Sequence, residues 1–98
     1  MHQPTVLILD DEPAIREMLR TALELAEFNV LQAENAQEAL CIIADQRPDL
    51  LLLDWMLPNM SGIELARRLK RATSTADLPI IMLTAKTDED NKVVGLEA

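Results

Sequence analysis

The sequence predicts an α/β domain, a parallel sheet covered by helices, and three observations predict it. Short aliphatic runs alternate with longer stretches of helical periodicity over the whole chain. The runs are nearly free of polar interruption, Leu50 to Leu53 being four consecutive leucines, as in strands buried on both faces. The connections are short, so successive strands are joined by right-handed crossovers.

Thr5 to Leu9, TVLIL, is the first strand and stops at Asp10-Asp11-Glu12-Pro13. Pro13 suits the first helical position, where its missing N–H costs nothing. The helix runs to about Ala26, with Ile15, Met18, Leu19 and Ala22 as its apolar stripe and Arg16, Glu17 and Arg20 on other faces. Asn29 to Ala33, NVLQA, is a weaker strand with a polar Gln32, and suits a sheet edge. Asn35 followed by Glu38 resembles a capping box and opens a helix to about Gln46, with Ala36, Ala39, Leu40 and Ile43 facing the core. Arg47-Pro48 ends it, and Leu50 to Asp54 is the third strand. Pro58 and Asn59-Met60-Ser61-Gly62 force a turn. Ser61 and Glu64 repeat the cap spacing, and Leu65, Ala66 and Leu69 line a third helix ending near Ala72. Pro79 to Thr84 is the fourth strand, and Thr87 or Asp88 caps a helix expected over Glu89 to Ala98.

The 98 residues make one domain, with packing supplied by aliphatic residues because Phe28 and Trp55 are the only aromatics. Nine basic against seventeen acidic residues give a net charge of −8, a field that repels phosphate backbones and anionic lipid. Direct nucleic-acid binding is thereby disfavoured. Arg67, Arg68, Lys70 and Arg71 sit where the third helix's dipole favours positive charge. Cys41, the single cysteine, is expected to be a small core or semi-core residue. No apolar run is long enough to span a membrane and no signal peptide precedes the first strand, so a cytoplasmic location is expected.

Asp10, Asp11 and Asp54 all lie at carboxyl ends of predicted strands, the edge where open α/β sheets place ligands. Whether they meet depends on strand order. A Rossmann-like order leaves Asp54 two strands from the pair, about 9 to 10 Å away. A flavodoxin-like, doubly wound order 2-1-3-4 gathers all three. The second is favoured, because the only glycines, Gly62 and Gly95, form no phosphate-cradling fingerprint after the first strand, and the weak second strand belongs at an edge. Carboxylates so close repel by about 3 to 4 kcal/mol per pair at an effective dielectric near 20. A hard divalent cation such as Mg²⁺ offsets that. The plainer reading is that Asp10 or Asp11 caps the first helix and Asp54 merely ends a strand. With a cation, an aspartate can act as a nucleophile toward phosphorus. Thr84 could then donate a hydrogen bond to a phosphoryl oxygen, or be an ordinary strand-end threonine.

The motifs LILDDEP, DWMLPNMSGIEL around Asp54, and LTA at Thr84-Ala85 together resemble the receiver domain of two-component response regulators, in wording of the OmpR/PhoB subfamily. The resemblance implies a phosphorylatable domain that accepts a phosphoryl group from a sensor histidine kinase and switches a protein interface, not a free-standing enzyme. It implies Asp54 as phosphoacceptor, and Mg²⁺ held by Asp11, Asp54 and the Met56 backbone carbonyl, with Asp10 acting through water. Thr84 corresponds to the switch hydroxyl and Ala85 to the small residue that leaves room for phosphate. Glu12 would support the acids, Trp55 would lie beside them, and Pro58 and Gly62 would shape the following loop. Homodimerisation of the intact protein and transcriptional control through a separate effector domain are also implied.

The family continues with a fifth strand, a Lys-Pro pair and a fifth helix. Residues 1–98 therefore read as a receiver domain incomplete at its C-terminus, and Lys86 is not the family's phosphoryl-contacting lysine. The fourth strand is then expected to be an apolar edge through which copies pair or swap. Two other readings are a haloacid dehalogenase-type phosphatase, disfavoured because the acids are adjacent where that class has D-x-D, and a non-phosphorylated interaction module.

Overall fold

All four predicted strands form where the aliphatic runs place them. In the computed structural model, which describes residues 3–57, 60–83 and 93–96, the elements are β1 (Thr5–Leu9), α1 (Pro13–Leu25), β2 (Asn29–Ala33), α2 (Ala36–Gln46), β3 (Leu50–Asp54), α3 (Gly62–Arg71), β4 (Ile80–Leu83) and β5 (Val93–Leu96). The sheet order is β2-β1-β3-β4-β5. Strands β1 to β4 are parallel, in the flavodoxin-like order 2-1-3-4. Register pairs Leu9 with both Ala33 and Leu53, so β2, β1 and β3 end level and the acids at the ends of β1 and β3 share one edge of the sheet.

The two faces are unequally covered. Leu7, Leu9, Leu51, Leu53, Ile80 and Met82 pack beneath α2 and α3 with Ala36, Ala39, Ile43, Leu65, Ala66 and Leu69. The alternate residues Val6, Ile8 and Leu52 pack beneath α1, against Leu19 and Leu23. Both capped helices start as expected: Asn35 Oδ1 accepts from Glu38 N–H at 2.8 Å, and Ser61 Oγ from Glu64 N–H at 3.1 Å.

Four expectations are corrected. Val93–Leu96 is a strand antiparallel to β4, pairing Ile80 with Leu96 and Leu83 with Val93, where a helix was expected. Val93 and Val94 are stiff at χ1 and Gly95 costs about 1 kcal/mol in a helix, whereas the open edge of β4 offers a row of unpaired backbone groups. That pairing also covers β4, so the free edge expected to join copies is occupied by the chain itself. On α1, Met18 and Ala22 are exposed; the line facing the sheet is Ile15, Leu19 and Leu23, spaced by four and only half-buried, and no described element covers its flank. Cys41 is exposed, because Ala39 and Ile43 take the inward positions of α2 and a residue two away from each points outward. His2, Pro58, Asn59, Thr84, Ala85, Lys86, Thr87 and Asp88 lie outside the described residues.

Candidate functional site

The level ends of β1 and β3 bring Asp10, Asp11 and Asp54 together, each offering a carboxylate oxygen within 4.8 Å of the others. Asp10 and Asp54 are buried, at 5% and 3% exposure, while Asp11 faces solvent. The reading of Asp10 or Asp11 as the helix cap fails in part: the residue capping α1 is Glu12, with no side-chain cap bond. Asp10 Oδ1 does accept from Glu12 N–H at 2.9 Å, which tightens the turn into α1.

Burial and mutual repulsion set the charge state. The Asp54 carboxyl is pushed up from 3.8 to about 6, chiefly by burial and then by Asp10, against the Met56 N–H. That N–H lies 3.4 Å from Asp54 Oδ1. Asp10 is also raised, first by burial, against the Glu12 N–H and with repulsion from Asp11 and Glu12. Such a pocket of oxygen donors, two of them held from water with perturbed acidity, fits a hard divalent cation. A cavity of about 780 Å³ between α2 and α3, lined by Ile43, Arg47, Arg68 and Leu78, opens at the other end of the sheet and contains none of these acids.

The surrounding backbone explains several neighbours. Trp55 N–H donates to Leu83 O at 3.0 Å, and Gly62 N–H to Trp55 O at 2.9 Å, folding the loop after β3 back onto the strand end. Gly62 is fixed by this close approach: a Cβ there would collide with the Asp54 carbonyl and come within 2.9 Å of Met82 Cε. Trp55 and Met56 are exposed beside the acids.

Two residues gain a place here that the sequence did not assign. Arg16 Nη1 donates to the Asp10 carbonyl at 2.6 Å and Arg16 Nε to Gln32 Oε1 at 3.2 Å. In the sequence Arg16 reads as a helix residue off the apolar stripe and Gln32 as the polar residue of a weak strand. A polar residue on the inward phase of β2 facing an arginine of α1 was the available signal.

The protein-family model for the response regulator receiver domain matches residues 6–98. The chain belongs to that family. Over 93 residues it is 64% identical to the phosphate regulon transcriptional regulatory protein PhoB of Pseudomonas aeruginosa, covering 95% of this chain and 41% of that protein. To PhoB of Escherichia coli it is 45% identical over 92 residues, 94% of this chain and 40% of that one. The receiver thus spans about two fifths of the length of these relatives. Among solved structures, chemotaxis protein CheY4 of Vibrio cholerae matches with a TM-score of 0.81 and 31% identity, over 90% of this receiver and 73% of that chain. The N-terminal domain of a response regulator receiver protein from Methanoculleus marisnigri matches with a TM-score of 0.81 and 39% identity, over 84% and 67%. No described helix is long and apolar enough to cross a membrane.

Proposed function

We propose that this receiver accepts a phosphoryl group on Asp54 from a sensor histidine kinase and thereby switches a protein interface. The observation that carries the reading is the meeting of Asp10, Asp11 and Asp54 within 4.8 Å in a member of the receiver family. With its acidity near 6, Asp54 is mostly ionised at neutral pH and nucleophilic. An Asp54 carboxylate oxygen attacks the phosphorus of a phosphohistidine; the O–P bond forms in line as the P–N bond breaks, and the electron pair leaves on the imidazole nitrogen.

Asp11, Asp54 and the Met56 carbonyl would hold Mg²⁺ directly, with Asp10 acting through water and Glu12 supporting the pair. When bound, the cation neutralises charge on the transferring group. Thr84 follows Leu83, the partner of Asp54 in register, and would turn its hydroxyl toward the phosphoryl oxygens. Ala85 would correspond to the small residue that leaves that group room. Residues 1–98 form the receiver part of a cytoplasmic regulator that dimerises and acts on transcription through an effector domain, by analogy with the regulators it resembles.

The test is incubation with Mg²⁺ and acetyl phosphate. One phosphoryl adduct located on Asp54 by mass spectrometry, absent from Asp54→Asn, is expected. An adduct of equal yield in Asp54→Asn, or none in the parent, sinks the proposal.

A further inference from the structure

Of the three acids, Asp11 is the one whose direction nothing at its own side chain fixes. Asp10 Oδ1 is held by the Glu12 N–H and Asp54 Oδ1 lies by the Met56 N–H, but the exposed Asp11 carboxylate has no hydrogen bond or ion pair among the described residues. Its aim is therefore set by backbone, and first by the peptide that joins Asp10 to Asp11.

The carbonyl of that peptide receives the Arg16 guanidinium at 2.6 Å, a short charge-assisted bond. Arg16 is itself held at both ends. Its backbone N–H makes an early helical bond to Glu12 O at 3.1 Å, and its Nε lies 3.2 Å from Gln32 Oε1 on β2. A single planar fork thus ties α1, the end of β1 and the end of β2. On the other side of the same strand end, Asp10 N–H donates to Ala33 O at 3.2 Å. Ala33 thus fixes the Leu9–Asp10 peptide and Arg16 the carbonyl of the Asp10–Asp11 peptide, and rotation of the latter would swing Asp11 away from Asp54.

We propose that Arg16, oriented by Gln32, is a positioning residue that aims Asp11 at the cation. This rests on the reading of the site given above. The sign of its effect separates it from electrostatics. As a mere nearby charge, Arg16 repels a cation, and its removal tightens binding; as the clamp on the peptide, its removal loosens binding.

The experiment titrates Mg²⁺ into the full chain, following Trp55 emission, with urea unfolding run alongside to show that each variant is folded. Removing an outer partner of a metal ligand weakens affinity about tenfold or more. That loss is expected for Arg16→Ala, and also for Arg16→Lys, which keeps the charge and loses the fork. Gln32→Leu is expected to lose severalfold and Gln32→Glu, which keeps an acceptor, to stay near the parent. Should Arg16→Ala fail to fold, Arg16→Lys and Gln32→Leu decide the matter. Unchanged or tighter Mg²⁺ binding in folded Arg16 variants, with a normal parent response, overturns this inference alone. No Mg²⁺ response in the parent overturns the reading of the site and this inference with it.

Discussion

The two faces of the sheet are built from the same strands and to different standards. Beneath α2 and α3, the side chains of Leu7, Leu9, Leu51 and Leu53 are wholly inaccessible. On the α1 face, Val6 and Ile8 are equally buried, but Val30, Leu50, Ile81 and Leu83 remain only half-buried around them. By the alternation along β1 and β3, Asp10 and Asp54 continue the α1 face, after Ile8 and Leu52. The more loosely covered face thus ends in the chemistry, and the closely packed one carries the stability. Truncations sharpen this. Leu53→Ala is expected to cost about 4 kcal/mol in urea unfolding and Ile81→Ala about half as much, since the latter gives up less burial and leaves less of a cavity. Equal costs would erase the distinction.

The acids place a stability cost on their own face. The Asp54 carboxyl titrates near 3.8 when unfolded and about 6 when folded. Between those values the folded chain binds more protons than the unfolded one, so this group's stabilisation is present below about 4 and lost as pH rises through 6. Above that window the cost is on the order of 3 kcal/mol, and Asp10, raised in the same direction, adds to it. Asp54→Asn is therefore expected to be more stable than the parent at pH 7.5 without divalent cations, by up to about 3 kcal/mol. The gap should close as pH falls toward 4. Parallel stability profiles for the two proteins between pH 4 and 7.5 would show that Asp54 carries no such strain.

How far the sequence reached follows the same division. The packed face was legible because its residues obey one rule: Ala39, Ile43, Leu65 and Leu69 recur at helical spacing, and each is buried. The caps at Asn35 and Ser61 were legible for the same reason, since a short acceptor before a helix has little else to do. The acid cluster needed one further step, strand order, which the weak β2 and the missing glycine fingerprint supplied. What failed was governed by tertiary context. Met18 has the right spacing for burial but lies on a flank that no described element covers, and Val93–Leu96 answered to the open edge of β4 and not to the cap signal at Thr87 or Asp88. Arg16 and Gln32 were missed because each is polar and unremarked alone; only the pairing of α1 with β2 gives them a joint role.

A smaller effect separates the helices of the two faces at their ends. Both α1 and α2 are followed by residues in the left-handed region, Glu27 at φ 70 and Arg47 at φ 49. For an L-residue that region costs about 1 to 2 kcal/mol, and glycine avoids it while giving back part of the gain as unfolded-chain entropy. Charge then distinguishes the sites. A helix C-terminus carries partial negative charge, so Glu27 is repelled by α1 while Arg47 is attracted by α2. Glu27→Gly relieves both backbone and charge and should raise stability by about 1 kcal/mol, read as a shift in the urea midpoint at constant slope. Arg47→Gly relieves the backbone but forfeits a favourable charge, so its gain should be less than half as large. Adding salt should narrow the difference between the two variants, because the dipole contribution is screened and the backbone contribution is not.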